Sequence, residues 1–103
     1  MNKFQYTEDY REFVRLTNMW LDETKFSSRM VDDSNESYKK IIEMGKKTLP
    51  WILNDMKNNH HHWFVALYLI TGDNPIKPEH AGYIPKMVDD WLEWAKLNYI
   101  RYE

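Results

Sequence analysis

The chain contains no cysteine, which excludes disulfide bonds, thiolate metal sites and a cysteine nucleophile. Three glycines are too few for a Gly-rich phosphate loop, and Ser27, Ser28, Ser34 and Ser37 stand outside any nucleophile-elbow motif. Neither sign of charge prevails. Fourteen lysines and arginines face 16 acids, for a formal net charge of −2, and the two signs are interspersed. Without a basic stripe, nucleic acid is not the expected partner. Long apolar runs are also missing: the longest, Trp63–Ile70, is far shorter than the about 20 residues that cross a bilayer. Met1–Tyr6 has no apolar h-region, so no signal peptide is expected and the expected location is the cytoplasm.

Aromatic side chains, by contrast, are abundant: five Trp, seven Tyr and four Phe in 103 residues. That is enough bulk for one domain, residues 1–103, to fill a core without staples. The run Trp63-Phe64-Val65-Ala66-Leu67-Tyr68-Leu69-Ile70 is the only stretch apolar on every side, so it is expected at the centre of the fold. A strand there would need a partner, and no second alternating run exists. Trp63, Ala66, Leu67 and Ile70 fall at i, i+3, i+4 and i+7, and Gly72 supplies a C-terminal stop. The run reads as a central buried helix over Trp63–Thr71.

The other segments are amphipathic helices. Thr7 caps the first, whose inner face is Tyr10, Phe13, Val14, Thr17, Trp20 and Leu21. A polar loop from Phe26 to Asn35 follows, with a short turn about Arg29-Met30-Val31. A second helix starts at Ser34 or Asn35, turns Tyr38, Ile41 and Ile42 inward, and stops at Gly45. A third begins near Lys46 with Pro50 in its first turn and buries Leu49, Ile52, Leu53 and Met56. His60 or His61 opens the central helix. After an extended stretch stiffened by Pro75 and Pro78, the last helix starts at about Ile84-Pro85. It buries Ile84, Val88, Trp91, Leu92 and Ala95, and leaves Tyr99–Glu103 as a frayed or loosely docked tail. The expected architecture is an all-α compact bundle of about five helices.

Tyr38 to Met56, a helix, Gly45 and then a helix opening with Leu49-Pro50, resembles one helical hairpin of the HEAT kind. From Trp20 onward the chain resembles a family of small uncharacterised bacterial proteins. The likeness rests on Met44-Gly45, Leu49-Pro50, Ile52-Leu53, Trp63-Phe64, Ala66-Leu67, Ile70-Thr71-Gly72 with Pro75, and Trp91-Leu92 with Trp94. It implies an all-helical fold and a bacterial or phage setting, but no activity.

His60-His61-His62 is the most conspicuous candidate site. Ligands on one helix face need i, i+3 or i, i+4 spacing, whereas three consecutive side chains point about 100° apart. The positions three and four residues on, Trp63 to Ala66, cannot coordinate a metal. His80 or Asp55 could complete a site only through the tertiary fold. A solvated helix start is the simpler reading, so no metal or cofactor is expected. The acids Asp32-Asp33, Asp89-Asp90 and Glu93 read as solvated and structural, and Lys39-Lys40 and Lys46-Lys47 with Arg29 as a modest basic face.

Trp51 and Trp94 lie beside the inner faces, and together with Phe64 and Tyr68 they are the candidate binding residues, for a pocket or an interface. The expectation is a non-catalytic module that binds another protein, such as an immunity, antitoxin or regulatory partner; self-association stays open. The alternative is a small enzyme or ligand-binding protein with a pocket near His60–His62, His80 and Trp94.

Overall fold

A computed structural model describes residues 7–25 and 34–102, so the loop and turn expected around Arg29-Met30-Val31 lie outside the described residues, as does Asp32-Asp33. Four helices carry the bundle: α1 (Glu8–Thr24), α2 (Glu36–Met44), α3 (Leu49–Asn59) and α5 (Ile84–Leu97). Against an expectation of about five helices, these four are joined only by the two-turn α4 (Phe64–Thr71). Single 3-10 turns cover Gly45–Thr48 and Pro78–His80, and no strand occurs among the described residues.

Local chemistry sets the ends of these helices. The Tyr10 N–H donates to Thr7 Oγ1 at 3.1 Å, and the Tyr38 N–H to Asn35 Oδ1 at 3.0 Å, satisfying donors that each first turn leaves open. Glu23 Oε1, near the end of α1, accepts from Ser37 Oγ and Asn35 Nδ2 and ties that end to the start of α2. Pro50 and Pro85 lie in the first turns of α3 and α5, where a missing N–H costs nothing.

The core is aromatic and is centred on Trp63, which is fully buried. Its ring lies 4.7 Å from Trp20, 5.8 Å from Tyr38 and 5.6 Å from Phe13, centroid to centroid. On α3, Leu49, Ile52, Leu53 and Met56 are all buried as the spacing predicts, and so are Val88, Trp91 and Ala95 on α5. On α1 the buried stripe is Phe13, Leu16, Thr17 and Trp20. It is rotated from the expected face toward Leu16, leaving Tyr10, Val14 and Leu21 at its margin.

Several expectations need correcting. The histidines do not open α4. His60 takes a left-handed conformation (φ 56°) that ends α3, and residues 61–63 form no helix before Phe64. Of the two expectations for the C-terminal segment, residues 99–102 follow the docked one and not the frayed one. Tyr99 is left-handed, and the N–H groups of Tyr99 and Ile100 donate back to the carbonyls of Lys96 and Ala95. That Schellman-type closure folds Ile100 and Tyr102 onto the core.

Nor is α4 buried all round. Trp63, Ala66 and Leu67 face inward and are fully buried, whereas Tyr68 is 53% and Leu69 45% exposed. α1 pairs with α2 and α3 with α5, and the main neighbours of α4 are α2 and the Gly45–Thr48 turn.

The left-handed positions give a paired stability test. His60→Gly is expected to raise the unfolding free energy by roughly 0.5–1 kcal/mol, because glycine removes the Cβ strain at φ 56°. Gly72→Ala, at φ 76°, is expected to lower it by about 1 kcal/mol, although no heavy atom lies where the new Cβ would sit. Urea unfolding of both variants measures the two signs.

Candidate binding surface

The outward face of α4 and the extended segment after it form one groove. Phe64, Val65, Tyr68 and Leu69 line one wall and Asn74 and Ile76 the other, around a volume of about 410 Å³. Between Phe64 and Thr71 there is no charged residue. The one polar side chain of the opposite wall, Asn74, turns its Oδ1 toward the Ile76 N–H at 3.3 Å in an Asx-type turn.

The second wall is pinned by carboxylates at both ends. The Thr71 hydroxyl donates to the Leu67 carbonyl at 2.7 Å and accepts from the Asp73 N–H at 3.0 Å, which starts the segment off the end of α4. Asp73 Oδ2 then accepts from Trp94 Nε1 at 3.0 Å. Further along, Asp90 Oδ2 accepts from the Lys77 N–H at 3.1 Å and faces His80 Nδ1 at 2.8 Å. The Asp90 side chain is only 9% exposed, whereas Asp89 beside it is exposed. The solvated acid expected from sequence is therefore a buried anchor for the 73–80 segment. Burial alone pushes the Asp90 carboxyl up. The hydrogen bonds from His80 and the Lys77 backbone, with the positive charges of both residues, outweigh it and hold the group below its ordinary value.

The four candidate binding residues do not meet in one place. Phe64 and Tyr68 line the groove. Trp94 is half-buried, edge-on to Trp91 at 5.2 Å, and it secures the segment rather than lining the groove. Trp51 is a core residue, 8% exposed, covered by Tyr10 at 5.4 Å and Phe13 at 5.5 Å. It looked surplus only because its cover comes from α1. Sequence reasoning missed Val65, Leu69 and Ile76. The available signal was the pair Tyr68-Leu69, which lies opposite the Ala66/Leu67 stripe.

His61 and His80 are held by different carboxylates on different helices. Asp55 Oδ2 on α3 faces His61 Nδ1 at 2.7 Å and accepts from Trp63 Nε1 at 2.7 Å, while Asp55 Oδ1 accepts from Asn59 Nδ2 at 2.9 Å. One carboxylate thus wraps residues 60–63 around the last turn of α3. Among the described residues no group of three or more His, Asp or Glu could hold a metal ion. Asp55 also borders a second cleft of about 240 Å³ between α1 and α3, lined by Tyr10, Val14, Thr17, Asn54 and Trp51 among others. The Thr17 hydroxyl is buried there without a hydrogen-bond partner. On the basic face, Lys47 is paired with Asp9 at 3.3 Å and Arg29 lies outside the described residues.

Compared with family models, curated proteins and solved structures, the chain matches none of them.

Asp90 gives a pH test with a defined sign. Folding favours the ionised carboxylate, so its contribution is complete above the unfolded value of about 3.9 and is lost as pH falls through the lower folded value. Asp90→Asn is expected to cost about 1–3 kcal/mol at pH 7. Its deficit against the native chain should begin to narrow below about pH 4, where the unfolded carboxylate takes up its proton, and should close only once pH has fallen below the lower folded value. Urea midpoints of both chains at pH 7 and pH 3 measure the convergence.

Proposed function

We propose that this chain is a non-catalytic protein-binding module of the cytoplasm, serving a bacterial or phage system as an immunity, antitoxin or regulatory partner. The observation that carries the reading is the outward face of α4. A helix at the surface of a bundle ordinarily turns charged and polar side chains outward. This one turns out Tyr68 and Leu69, flanked by the half-buried Phe64, Val65 and Ile76. Aromatic and aliphatic side chains grouped in a groove are the composition of an interface centre. The bacterial or phage setting rests on the sequence resemblance around Leu49-Pro50, Trp63-Phe64 and Trp91-Leu92, and the HEAT-like character of residues 38–56 on the likeness at Gly45 and Leu49-Pro50.

The alternative reading, a ligand-binding protein, has one observation in its favour, the cleft between α1 and α3 with the unpartnered Thr17 hydroxyl. Its histidine is less available than the sequence suggested, since His61 is already engaged with Asp55.

Tyr68→Glu combined with Leu69→Glu tests the reading. Both side chains are exposed, so the pair is expected to keep its helical circular dichroism, with stability changed by only about 0.5 kcal/mol per site. The variant should fail to retain a stoichiometric partner that the native chain retains from host cells at physiological salt. A partner held equally well by both chains would move the interface off α4.

A further inference from the structure

We infer that the cleft between α1 and α3 is a second binding site, which takes a small primary amine with an apolar body. It shares no lining residue with the α4 groove, so it is tested independently of the reading above. The first observation is Thr17. A helical threonine ordinarily returns its hydroxyl to a carbonyl of its own helix. Thr24, Thr48 and Thr71 do so, each donating to the carbonyl three or four residues back at 2.7–2.8 Å. Thr17 does not. It is 7% exposed, its hydroxyl has no partner among the described residues, and it lies in the wall of the cleft. An unpaired buried hydroxyl is costly, and an occupant of the cleft supplies the missing partner once the side chain turns about χ1 to meet it.

The second observation is the charge of the walls. Asp55 is the one charged residue among those lining the cleft. Its Oδ2 is filled by His61 and Trp63, neither of which lines the cleft. Its Oδ1 accepts only from Asn59, which does, so Oδ1 is the oxygen on the cleft side and has room for another donor. The Asn18 and Asn54 amides add neutral donors and acceptors. An anion would give up its water beside a carboxylate, with no cation in the walls to replace it. A neutral hydroxyl would use the amides but leave the charge of Asp55 unmet. An ammonium group brings three donors to Asp55 Oδ1, an amide carbonyl and the Thr17 oxygen. Tyr10, Phe13 and Trp51 supply an aromatic wall for the body of the ligand. At about 240 Å³ the cleft falls short of a drug-sized pocket and suits one ring on a short chain.

Three probes of similar shape separate the charge states: phenethylamine, phenethyl alcohol and phenylacetate. Each is titrated at pH 7 into the isotope-labelled full chain and followed by the shifts of its amide resonances. The amine is expected to saturate with a Kd of about 1 mM, about 10-fold tighter than the alcohol, with phenylacetate the weakest. Its shifts should centre on Tyr10 to Asn18 and Trp51 to Asn59. Thr17→Val keeps the shape and removes the hydroxyl. It is expected to leave the melting temperature unchanged or raised while weakening the amine about 10-fold. Asp55→Asn is expected to bring the amine to the affinity of the alcohol. Because that carboxylate also holds His61 and Trp63, circular dichroism checks the fold of this variant, and Thr17→Val carries the test if it unfolds. Equal affinity for the three probes, tightest binding of phenylacetate, shifts centred on α4, or no saturation by the amine would overturn the site. Thr17→Val with a lowered melting temperature, or with undiminished affinity for the amine, would overturn it as well, since the hydroxyl would then have its partner within the protein or none in the ligand.

Discussion

The hydroxyl of Tyr38 is the contact on which the arrangement of this small bundle turns. α4 begins with Trp63 in the capping position, and tryptophan has no oxygen with which to satisfy the open N–H groups of the first turn. Tyr38, on α2, does this from outside. Its oxygen accepts from the Ala66 N–H at 2.9 Å and donates to the His62 carbonyl at 3.1 Å. The bond to Ala66 is the one a capping serine would make at the same turn. One side chain therefore caps α4, fixes its distance from α2 and closes one wall of the Trp63 nest, where its ring stacks against the indole.

This cap also decides which face of α4 looks outward. With Trp63 held by Tyr38, Trp20 and Phe13, and with its indole N–H tied to Asp55, the rotation of the helix is set. Ala66 and Leu67 must follow Trp63 inward, and Tyr68 and Leu69 are carried to the surface. The 73–80 segment completes the groove because its Asp73 accepts from Trp94 on α5 and because Asp90 on α5 holds its Lys77 N–H and His80. The proposed binding surface is thus the far side of the aromatic core.

Much of the fold was legible because period and punctuation agreed. The α3 stripe Leu49, Ile52, Leu53 and Met56 and the α5 stripe around Val88, Trp91 and Ala95 required only the helical repeat. Thr7, Asn35 and Gly72 marked helix ends through chemistry that is local in sequence. What was not legible depended on contacts between residues far apart. Trp51 looked spare until α1 covered it with Tyr10 and Phe13. His61 looked like a helix start until Asp55 drew it back. A run apolar on every side fixes only that some face is buried; here the face of Trp63, Ala66 and Leu67 is, while Tyr68 and Leu69 are exposed. Of the candidate binding residues, Phe64 and Tyr68 were found by composition, but Ile76 and the anchoring Asp90 belong to a segment without periodicity.

The most direct measurement of this account is amide hydrogen exchange on Tyr38→Phe, read at Ala66 and Leu67. The phenylalanine keeps the ring in the nest and removes only the oxygen, leaving a fully buried Ala66 N–H without a partner. The account predicts a loss of about 1–3 kcal/mol in unfolding free energy, with protection falling first at residues 64–67 while α3 and α5 keep theirs. Native stability with unchanged protection at Ala66 would show that α4 is held by packing alone and that the Tyr38 hydroxyl organises nothing.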